Sequence, residues 1–258
     1  MSVIVFASDL HGNRAAYDRL FSLEADAIVL GGDLLPYPLK RGGDLLELQR
    51  RFVGEYLAAK MASRPCYWIP GNDDWASVLG PLEGTGQALH GRLLPFLDGL
   101  SIAGYACVPI TPFGMKDFDR IDVPGWQPKQ LPKTCLWSSA SGITEVSLEA
   151  VAERPSIEED LERLATLSDP SRTIYVVHSP PFATTLDRLQ GGPTPIGSRA
   201  LREFIDRRQP PLTLHGHVHE SAGVERLGRT VCVNPGDSVS RFRAVRIDLE
   251  KLSVEPVA

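Results

Sequence analysis

Short apolar runs recur along this chain, and five of them end at a polar residue whose side chain can bind a metal. The runs have the length and composition of buried strands, with few polar residues among them. They cover residues 3–8, 27–30, 66–69, 173–177 and 212–214, and the polar residues that follow are Asp9, Asp33, Asn72, His178 and His217. In an open α/β sheet, ligands bind at the carboxyl ends of the strands. The pattern therefore predicts a ligand site at one edge of the fold.

Helical periodicity alternates with these strands. A helix is predicted over residues 44–57, a second after the capping box of Ser156 and Glu159, and a third over residues 197–205. Strands interleaved with helices predict an α/β fold, a two-sheet β-sandwich flanked by helices.

Two further strands are predicted near the C-terminus. Residues 229–233 and 242–249 alternate apolar and polar side chains, and we expect them to lie together in the second sheet. At 258 residues, the whole chain, 1–258, is predicted to form a single domain.

The periodicity breaks down at about residues 105–155. Between Tyr105 and Pro155 this insertion contains five prolines, Trp126 and Trp137, and a group of charged residues around Asp119. A long irregular segment in a compact domain is usually a functional loop or an exposed one. The interpretations left open are a lid over the ligand edge, a homodimer contact that uses the tryptophans and prolines, and a variable surface loop.

Composition narrows the function classes. The formal charge is 27 minus 32, or −5, which argues against a general nucleic-acid-binding surface. The four cysteines have no paired spacing, which is typical of a reduced, cytosolic protein. The N-terminal apolar run has the length of a strand, so neither a signal peptide nor a membrane span is expected.

The ligand-type residues form a set that suits two divalent cations. With His11 and His219 added, they offer two carboxylates, one amide oxygen and four imidazoles, about what two cations roughly 3.5 to 4 Å apart require. Asp9 and His11 are two residues apart, as are His217 and His219, and residues so spaced in a strand point to the same side. Each pair is therefore predicted to meet a metal at a strand end.

Single residues of this set also have structural interpretations. Asp9 and Asp33 are each typical of caps at strand-to-helix turns, and His178 alone is typical of a hydrogen-bonded histidine at a strand end. Alternating histidines such as His217 and His219 have few structural uses. The five motifs in this order favour the metal site.

Three further residues are left outside the predicted site. His90 lies away from every motif and is expected at the surface or a strand edge, and His215 alternates in phase with His217, as a supporting residue would. Asn13 begins a helix, where either the N–H groups of Gly12 and Asn13 face a bound phosphate or Asn13 is a plain cap.

The motifs together carry a family resemblance. The ordered set Asp-x-His, Gly-Asp, Gly-Asn-x-Asp, a lone His and Gly-His-x-His resembles the calcineurin-like metallophosphoesterase superfamily, from Asp9 to His219 and on to a turn at residues 234–236. The resemblance implies a four-layer α/β/β/α fold and a metal-dependent phosphoric ester hydrolase. It also implies that a hydroxide held between two metals attacks the phosphorus of a small phosphate ester.

The resemblance assigns a role to each ligand. Asp33 would bridge the two metals. One metal would bind Asp9, His11 and His219, and the other would bind Asn72, His178 and His217. Such mixed imidazole and oxygen ligation admits Mn, Fe, Zn, Ni or Co, and Mn is favoured here.

Two positions depart from the family pattern. Pro36 stands where many members have a second acid, and Asp73 replaces the histidine of Gly-Asn-His-Asp, which helps the leaving group depart in those enzymes. An aspartate has a reference pKa of about 3.9, and adjacent cations lower it further, so Asp73 is expected to be a poor acid near neutral pH. Asn72 and Asp73 are the predicted catalytic residues.

Three functions remain open at this point. The departure at Asp73 predicts a preference for phosphodiesters or phosphoanhydrides with acidic leaving groups. The alternatives are a metal- or nucleotide-binding regulator that has lost turnover, and a nuclease that relies on metal–phosphate contacts.

Overall fold

The computed structural model describes residues 2–37, 44–125, 131–189 and 194–257. Trp126, one of the two tryptophans of the insertion predicted from the sequence, lies outside these ranges. In chain order the elements are β1 (Val3–Ala7), α1 (Arg14–Ser22), β2 (Ala27–Leu30), α2 (Leu45–Phe52), a π-helix (Val53–Leu57), α3 (Ala58–Ala62), β3 (Cys66–Trp68), two 3₁₀ turns (Ala76–Val78 and Gly80–Leu82), β4 (Gln87–Ala88), β5 (Leu93–Pro95), a 3₁₀ turn (Leu97–Gly99), β6 (Ser101–Tyr105), β7 (Val108–Pro109), β8 (Asp119–Arg120), β9 (Cys135–Ser139), β10 (Gly142–Val146), α4 (Leu148–Ala152), α5 (Ile157–Ala165), a 3₁₀ turn (Pro170–Arg172), β11 (Thr173–Val177), α6 (Arg199–Arg208), β12 (Leu212–Leu214), β13 (Gly223–Leu227), β14 (Thr230–Asn234), β15 (Ala244–Asp248) and β16 (Ser253–Val257).

Two six-stranded mixed sheets form the fold. The first has the order β16-β15-β1-β2-β3-β4, with β1 to β4 parallel and β15 antiparallel to β1. The second has the order β13-β14-β12-β11-β6-β5, with four parallel strands between antiparallel edge strands. The predicted α/β sandwich with flanking helices is confirmed.

One detail of the predicted topology is wrong. Residues 230–234 form β14 of the second sheet, whereas residues 244–248 form β15, which pairs with β1 in the first sheet. Hydrophobic alternation identifies a strand but not its partner, because pairing depends on contacts between residues distant in the chain.

Buried side chains from both sheets form one core. β1, β2 and β11 are almost entirely buried, as expected for parallel strands covered on both faces. Tyr175 of β11 packs edge-to-face against Phe204 of α6 with ring centroids 5.0 Å apart, so α6 covers the second sheet. All four cysteines are buried free thiols, in agreement with their unpaired spacing.

The predicted helices are present with small changes. The capping box of Ser156 and Glu159 opens α5, and Ser198 caps α6. The helix predicted over 44–57 extends to Ala62 through the π-helical turn, and Leu48, expected on its buried face, is exposed. None of the helices in the described ranges combines the length and apolar character that crossing a bilayer requires.

The described parts of the segment 105–155, residues 105–125 and 131–155, are folded, contrary to the irregular loop expected. Strands β9 and β10 form a hairpin, and Ile110, Cys135 and Val151 form a small core of their own. Trp137, expected at an exposed contact surface, is half-buried, with the Arg154 guanidinium 3.6 Å from its ring centroid. Alternation in such short strands is hidden by the prolines between them.

Polar contacts fix this segment to the sandwich. The Asp117 carboxylate accepts the Ala76 N–H at 3.0 Å, and Asp122 accepts the Ser198 hydroxyl at 2.6 Å, at the start of α6. The hairpin therefore packs beside residues 76–77, close in the chain to Asp73.

Candidate metal centre

The first sheet supplies four of the predicted ligands from loops just beyond its strands. Asp9 and His11 follow β1, Asp33 follows β2, and Asn72 follows β3. Asp9, His11 and Asp33 have φ angles of 54°, 43° and 50°, in the left-handed region that non-glycine residues rarely adopt. Backbone hydrogen bonds from Asp9 N to Gly32 O and from His11 N to Asp33 O, both 2.9 Å, hold these loops against each other. Strain of this kind concentrates at functional sites.

These angles correct the reasoning from strand geometry. Asp9 and His11 were expected to share one side because extended residues two apart do so, but both lie in the turn after β1. His217 also has a positive φ, 66°, and follows the end of β12. The pairs converge through tight turns and not through an extended strand.

The second sheet supplies the three remaining histidines. His178 follows β11, and His217 and His219 follow β12. Gly216 lets this loop approach the first sheet, since a Cβ atom there would lie 2.0 Å from Ser8 Oγ and 2.3 Å from Asp9 Oδ2. The His217 backbone N–H then donates to both oxygens of the Asp9 carboxylate at 3.1 Å.

The predicted ligands form two adjoining groups. In the first group the ligand atoms of Asp9, His11, Asp33 and His219 all lie within 4.8 Å of one another. The His219 Nε2 atom is 3.2 Å from both Asp9 Oδ1 and His11 Nε2.

The second group contains the other three ligands. Asn72 Oδ1 is 2.7 Å from His217 Nδ1, and His178 Nε2 is 3.3 Å from Asp33 Oδ2. Asp33 therefore contacts both groups, which is the place that the resemblance gives to a bridging carboxylate. The assignment of individual ligands stays a prediction.

Unpartnered nitrogen atoms show that the site suits metal ions. His178 Nε2 and His11 Nδ1 are buried and accept or donate no hydrogen bond. The other ring nitrogen of His178, Nδ1, lies 2.7 Å from the Gly31 carbonyl oxygen, so it keeps its proton, and the neutral ring would present the Nε2 lone pair to a metal ion. In most metal-binding histidines, the ring nitrogen that does not bind the metal makes a hydrogen bond of this kind, which orients the ring.

Comparisons with known proteins place the chain in a family. A family model described as "Calcineurin-like phosphoesterase" matches residues 2–221. The chain belongs to the calcineurin-like phosphoesterase family. The resemblance read from the motifs is thus confirmed, and the family and the Asp/His group together indicate a hydrolase with a site that can hold divalent metal ions.

More distant similarities support the fold of this phosphoesterase. An uncharacterized protein of Methanocaldococcus jannaschii is 24% identical over 236 residues, covering 90% of this chain and 87% of its own length. One solved structure superposes with a TM-score of 0.68 at 15% identity, covering 99% of this chain and 98% of that one. The crystal structure of TT1561 from Thermus thermophilus gives 0.59 at 19% identity, with the same coverage.

Electrostatics of the phosphoesterase site follow from opposite charges buried together. Burial disfavours charge on His178, but the Asp33 carboxylate outweighs it and raises the pKa of His178 to about 10. Burial likewise acts against Asp33, but His178 holds the pKa of that carboxyl well below its usual range. At His219 the hydrogen bond to Asp9 outweighs burial and raises the pKa to about 9. At His217 burial prevails and lowers the pKa to about 4.

Asp73 lies beside Asp33, and its electrostatic state differs from the expectation. Its backbone N–H donates to Asp33 Oδ1 at 2.8 Å, and its Oδ1 accepts from Asn72 Nδ2 at 3.0 Å. Burial, and then the negative charge of Asp33, raise the pKa of Asp73 to about 8 without metal ions. The sequence reasoning considered only the cations, which act in the opposite direction.

Asp74 is a structural residue to which the sequence reasoning assigned no role. Its buried carboxylate accepts the N–H groups of Leu34, Leu35 and Gly71 at 3.1, 2.8 and 2.9 Å, joining the loops that carry Asp33 and Asn72. The signal was present in the sequence, because Asp74 is the last residue of the Gly-Asn-x-Asp motif.

The residues left outside the site have other partners. Asn13 caps α1, and since Gly12 N and Asn13 N donate to the carbonyls of Leu34 and Leu10, neither faces a phosphate. His215 is hydrogen-bonded through both ring nitrogens and supports the site from behind. His90 is half-buried just beyond the edge strand β4, where it bridges to Gly104, so the strand-edge alternative is confirmed, and its ring packs against Tyr105 and Phe118.

Proposed function

We propose that this phosphoesterase binds two divalent cations, with Mn²⁺ favoured, and hydrolyses phosphodiesters or phosphoanhydrides that have acidic leaving groups. The contact of Asp33 with both ligand groups carries the proposal, since a shared carboxylate can hold two cations at short distance. When bound, the cations supply positive charge for a phosphate ester and acidify a water molecule held between them.

The protein orients these ligands in advance. Asp9 is held by the His217 N–H, Asp33 by the Asp73 N–H, and His178 by the Gly31 carbonyl. The Asn72 amide is fixed as well, because its nitrogen donates to Asp73 and its oxygen faces His217. Ligands oriented by such contacts bind metal more tightly than freely rotating ones.

The substrate preference rests on the residue at position 73. A carboxylate next to cations accepts hydrogen bonds but has no imidazole N–H with which to protonate a departing alkoxide. Its negative charge also opposes a doubly charged monoester more than a singly charged diester. Esters whose leaving groups need no proton are therefore favoured.

Two substrates test this proposal. With protein stripped of metal and reloaded with Mn²⁺, we expect measurable turnover of bis(p-nitrophenyl) phosphate and little or none of glycerol phosphate. The variant Asp73→His should raise kcat/KM for glycerol phosphate, relative to the diester, by about 100-fold, the lower range of a general acid's contribution. Glu220→His, which adds an exposed imidazole beside His219, is the control and should leave the ratio unchanged. Faster hydrolysis of glycerol phosphate than of the diester by the unmodified protein would contradict the preference.

The replacement at Asp73 also favours a second candidate, a metal-binding regulator without turnover. It is distinguished by the same assay. A protein that holds two metal ions but turns over neither substrate, and gains activity with Asp73→His, would support the regulator.

A further inference from the structure

A second concave region lies at the same edge of the sandwich as the metal centre. It is a cleft of about 600 Å³ between the β13–β14 side of one sheet and the β15–β16 side of the other. Gly223 pairs with Asn234, and Ala244 with Val257, at the strand ends that line it. Since β14 is parallel to the metal-site strand β12 and β15 is antiparallel to β1, these ends lie at the metal edge. One or two strand spacings, about 5 to 10 Å, separate the cleft from the metal ligands.

A single loop, residues 235–243, connects the two sites. On one side, the Ser238 N–H donates to the Asp9 carbonyl at 3.0 Å, and Asn13 Nδ2 donates to the Ser238 carbonyl at 2.7 Å. On the other side, the loop carries Arg241 and Arg243 into the lining of the cleft. The two sites lie close together at Gly236. A Cβ atom added there would lie 3.1 Å from the carbonyl oxygen of His219, at the metal site, and 2.7 Å from a guanidinium nitrogen of Arg243, at the cleft.

The lining of this cleft is strongly cationic. It contains Arg19, Arg241 and Arg243 and no aspartate or glutamate, although the chain as a whole carries a net charge of −5. Within the described ranges, the side chains of Arg241 and Arg243 make neither an ion pair nor a hydrogen bond. The Arg19 guanidinium lies over the Phe242 ring, 5.0 Å from its centroid. We refer to the region lined by these three arginines and Phe242 as the arginine cleft.

We propose that the arginine cleft binds a second phosphate group of the substrate while the first phosphate lies at the metal centre. A guanidinium group can bind two phosphate oxygens at once, and Arg241 and Arg243, whose side chains have no partner among the described residues, can do so. The valines and Phe242 of the lining give an apolar surface for the organic part that joins the two phosphates. This inference rests on the proposed function and narrows its substrates to organic phosphate esters that carry a second phosphate.

A matched pair of diesters tests the inference. The p-nitrophenyl ester of thymidine 5′-phosphate is compared with the same ester bearing a 3′-phosphate, both with Mn²⁺. We expect kcat/KM to be about tenfold higher for the 3′-phosphorylated ester, through a lower KM, and the double variant Arg241→Gln/Arg243→Gln to remove this difference. Arg246→Gln is the control, because Arg246 lies on β15 but donates to the Glu24 carbonyl and does not line the cleft. Equal kcat/KM values in the unmodified protein, or an unchanged ratio in the double variant, would overturn the inference.

Direct binding separates this inference from the proposed function. If no ester is hydrolysed, the proposed function fails, and calorimetry with thymidine 3′,5′-bisphosphate still tests the cleft. The unmodified protein and Arg246→Gln should then bind the bisphosphate about tenfold more tightly than the double variant. Equal affinity in all three proteins would show that the arginines are ordinary solvated surface residues.

Discussion

At the scale of single residues, the site depends on side chains held in place by their neighbours. His178 shows this best, because one ring nitrogen is fixed by Gly31 and the other is buried, unpartnered and directed at Asp33. His215, in contrast, is hydrogen-bonded through both ring nitrogens, and His90 Nδ1 accepts the Ala106 N–H. A histidine's partners, and not its burial, therefore separate a metal ligand from a structural residue here.

Replacing His178 tests this distinction. We expect His178→Gln to lose at least one of two bound metal ions and to lower activity by more than the roughly 10- to 100-fold that loss of an outer partner of a ligand costs. Elemental analysis after dialysis against Mn²⁺ measures the first effect. His90→Gln is the matched control, since glutamine can still accept the Ala106 N–H that His90 Nδ1 accepts at 3.0 Å. Full metal content in His178→Gln would remove His178 from the ligand set.

At the scale of elements, the strands bring the ligands to one edge, and tight turns then direct them inward. The β12 strand could not deliver His217 and His219 to Asp9 without the close approach of its loop at Gly216. The helical run from Leu45 to Ala62, by contrast, supports the sheet from outside. A methyl group added at Gly54, within this run, would contact none of the described residues around it.

Replacing each of these two glycines by alanine should change the free energy of unfolding in opposite directions. Gly216→Ala places a methyl group against Ser8 and Asp9, and we expect it to lower the free energy of unfolding by about 1–3 kcal/mol and to weaken metal binding. Gly54→Ala should raise the free energy of unfolding by about 0.5–1 kcal/mol, because alanine loses less backbone freedom in a helix. Denaturant unfolding of the two variants and the unmodified protein, all with metal removed, measures both changes. A Gly216→Ala protein as stable as the unmodified one would mean that the loop moves without cost.

At the scale of the whole molecule, stability and metal binding are linked through the charges buried between the sheets. Without metal ions, Asp73, His178 and His219 have pKa values raised to about 8, 10 and 9. Between pH 7 and 8.5 the folded protein therefore holds protons that the unfolded chain has already released, because unfolded aspartate and histidine side chains have pKa values of about 3.9 and 6.5. His217, whose pKa is lowered to about 4, acts only below pH 6.5, and its contribution lies outside this window.

The sign of the pH dependence follows from this proton balance. Between pH 7 and 8.5 the folded state binds more protons, so the free energy of unfolding of the metal-free protein should fall as the pH rises. Added Mn²⁺ should stabilise the protein more at pH 8.5 than at pH 7, because its ligands must be deprotonated. Guanidinium unfolding at both values, with EDTA or with Mn²⁺, measures both effects. A metal-free protein that becomes more stable over this range would contradict the charge arrangement described above.

The sequence by itself determined the strands, the order of the ligand motifs and the family. Each of these strands is a local pattern of apolar residues, and each ligand lies within five residues of a strand end, so residues such as Asp33 and His178 could be assigned from their neighbours in the chain. The importance of Asp74 could also have been predicted from the sequence, since Asp74 belongs to the same motif as Asn72.

Only the tertiary structure decided the features that depend on contacts between distant residues. It placed β15 beside β1, gathered Ile110, Cys135 and Val151 into a small core of their own, gave Asp9, His11 and His217 left-handed turns, and raised the pKa of Asp73 through burial and Asp33. It also gathered Arg19, Arg241 and Arg243 around one cleft. Strand pairing, burial and electrostatic neighbours are set by residues far apart in the sequence, and a local pattern carries no record of them.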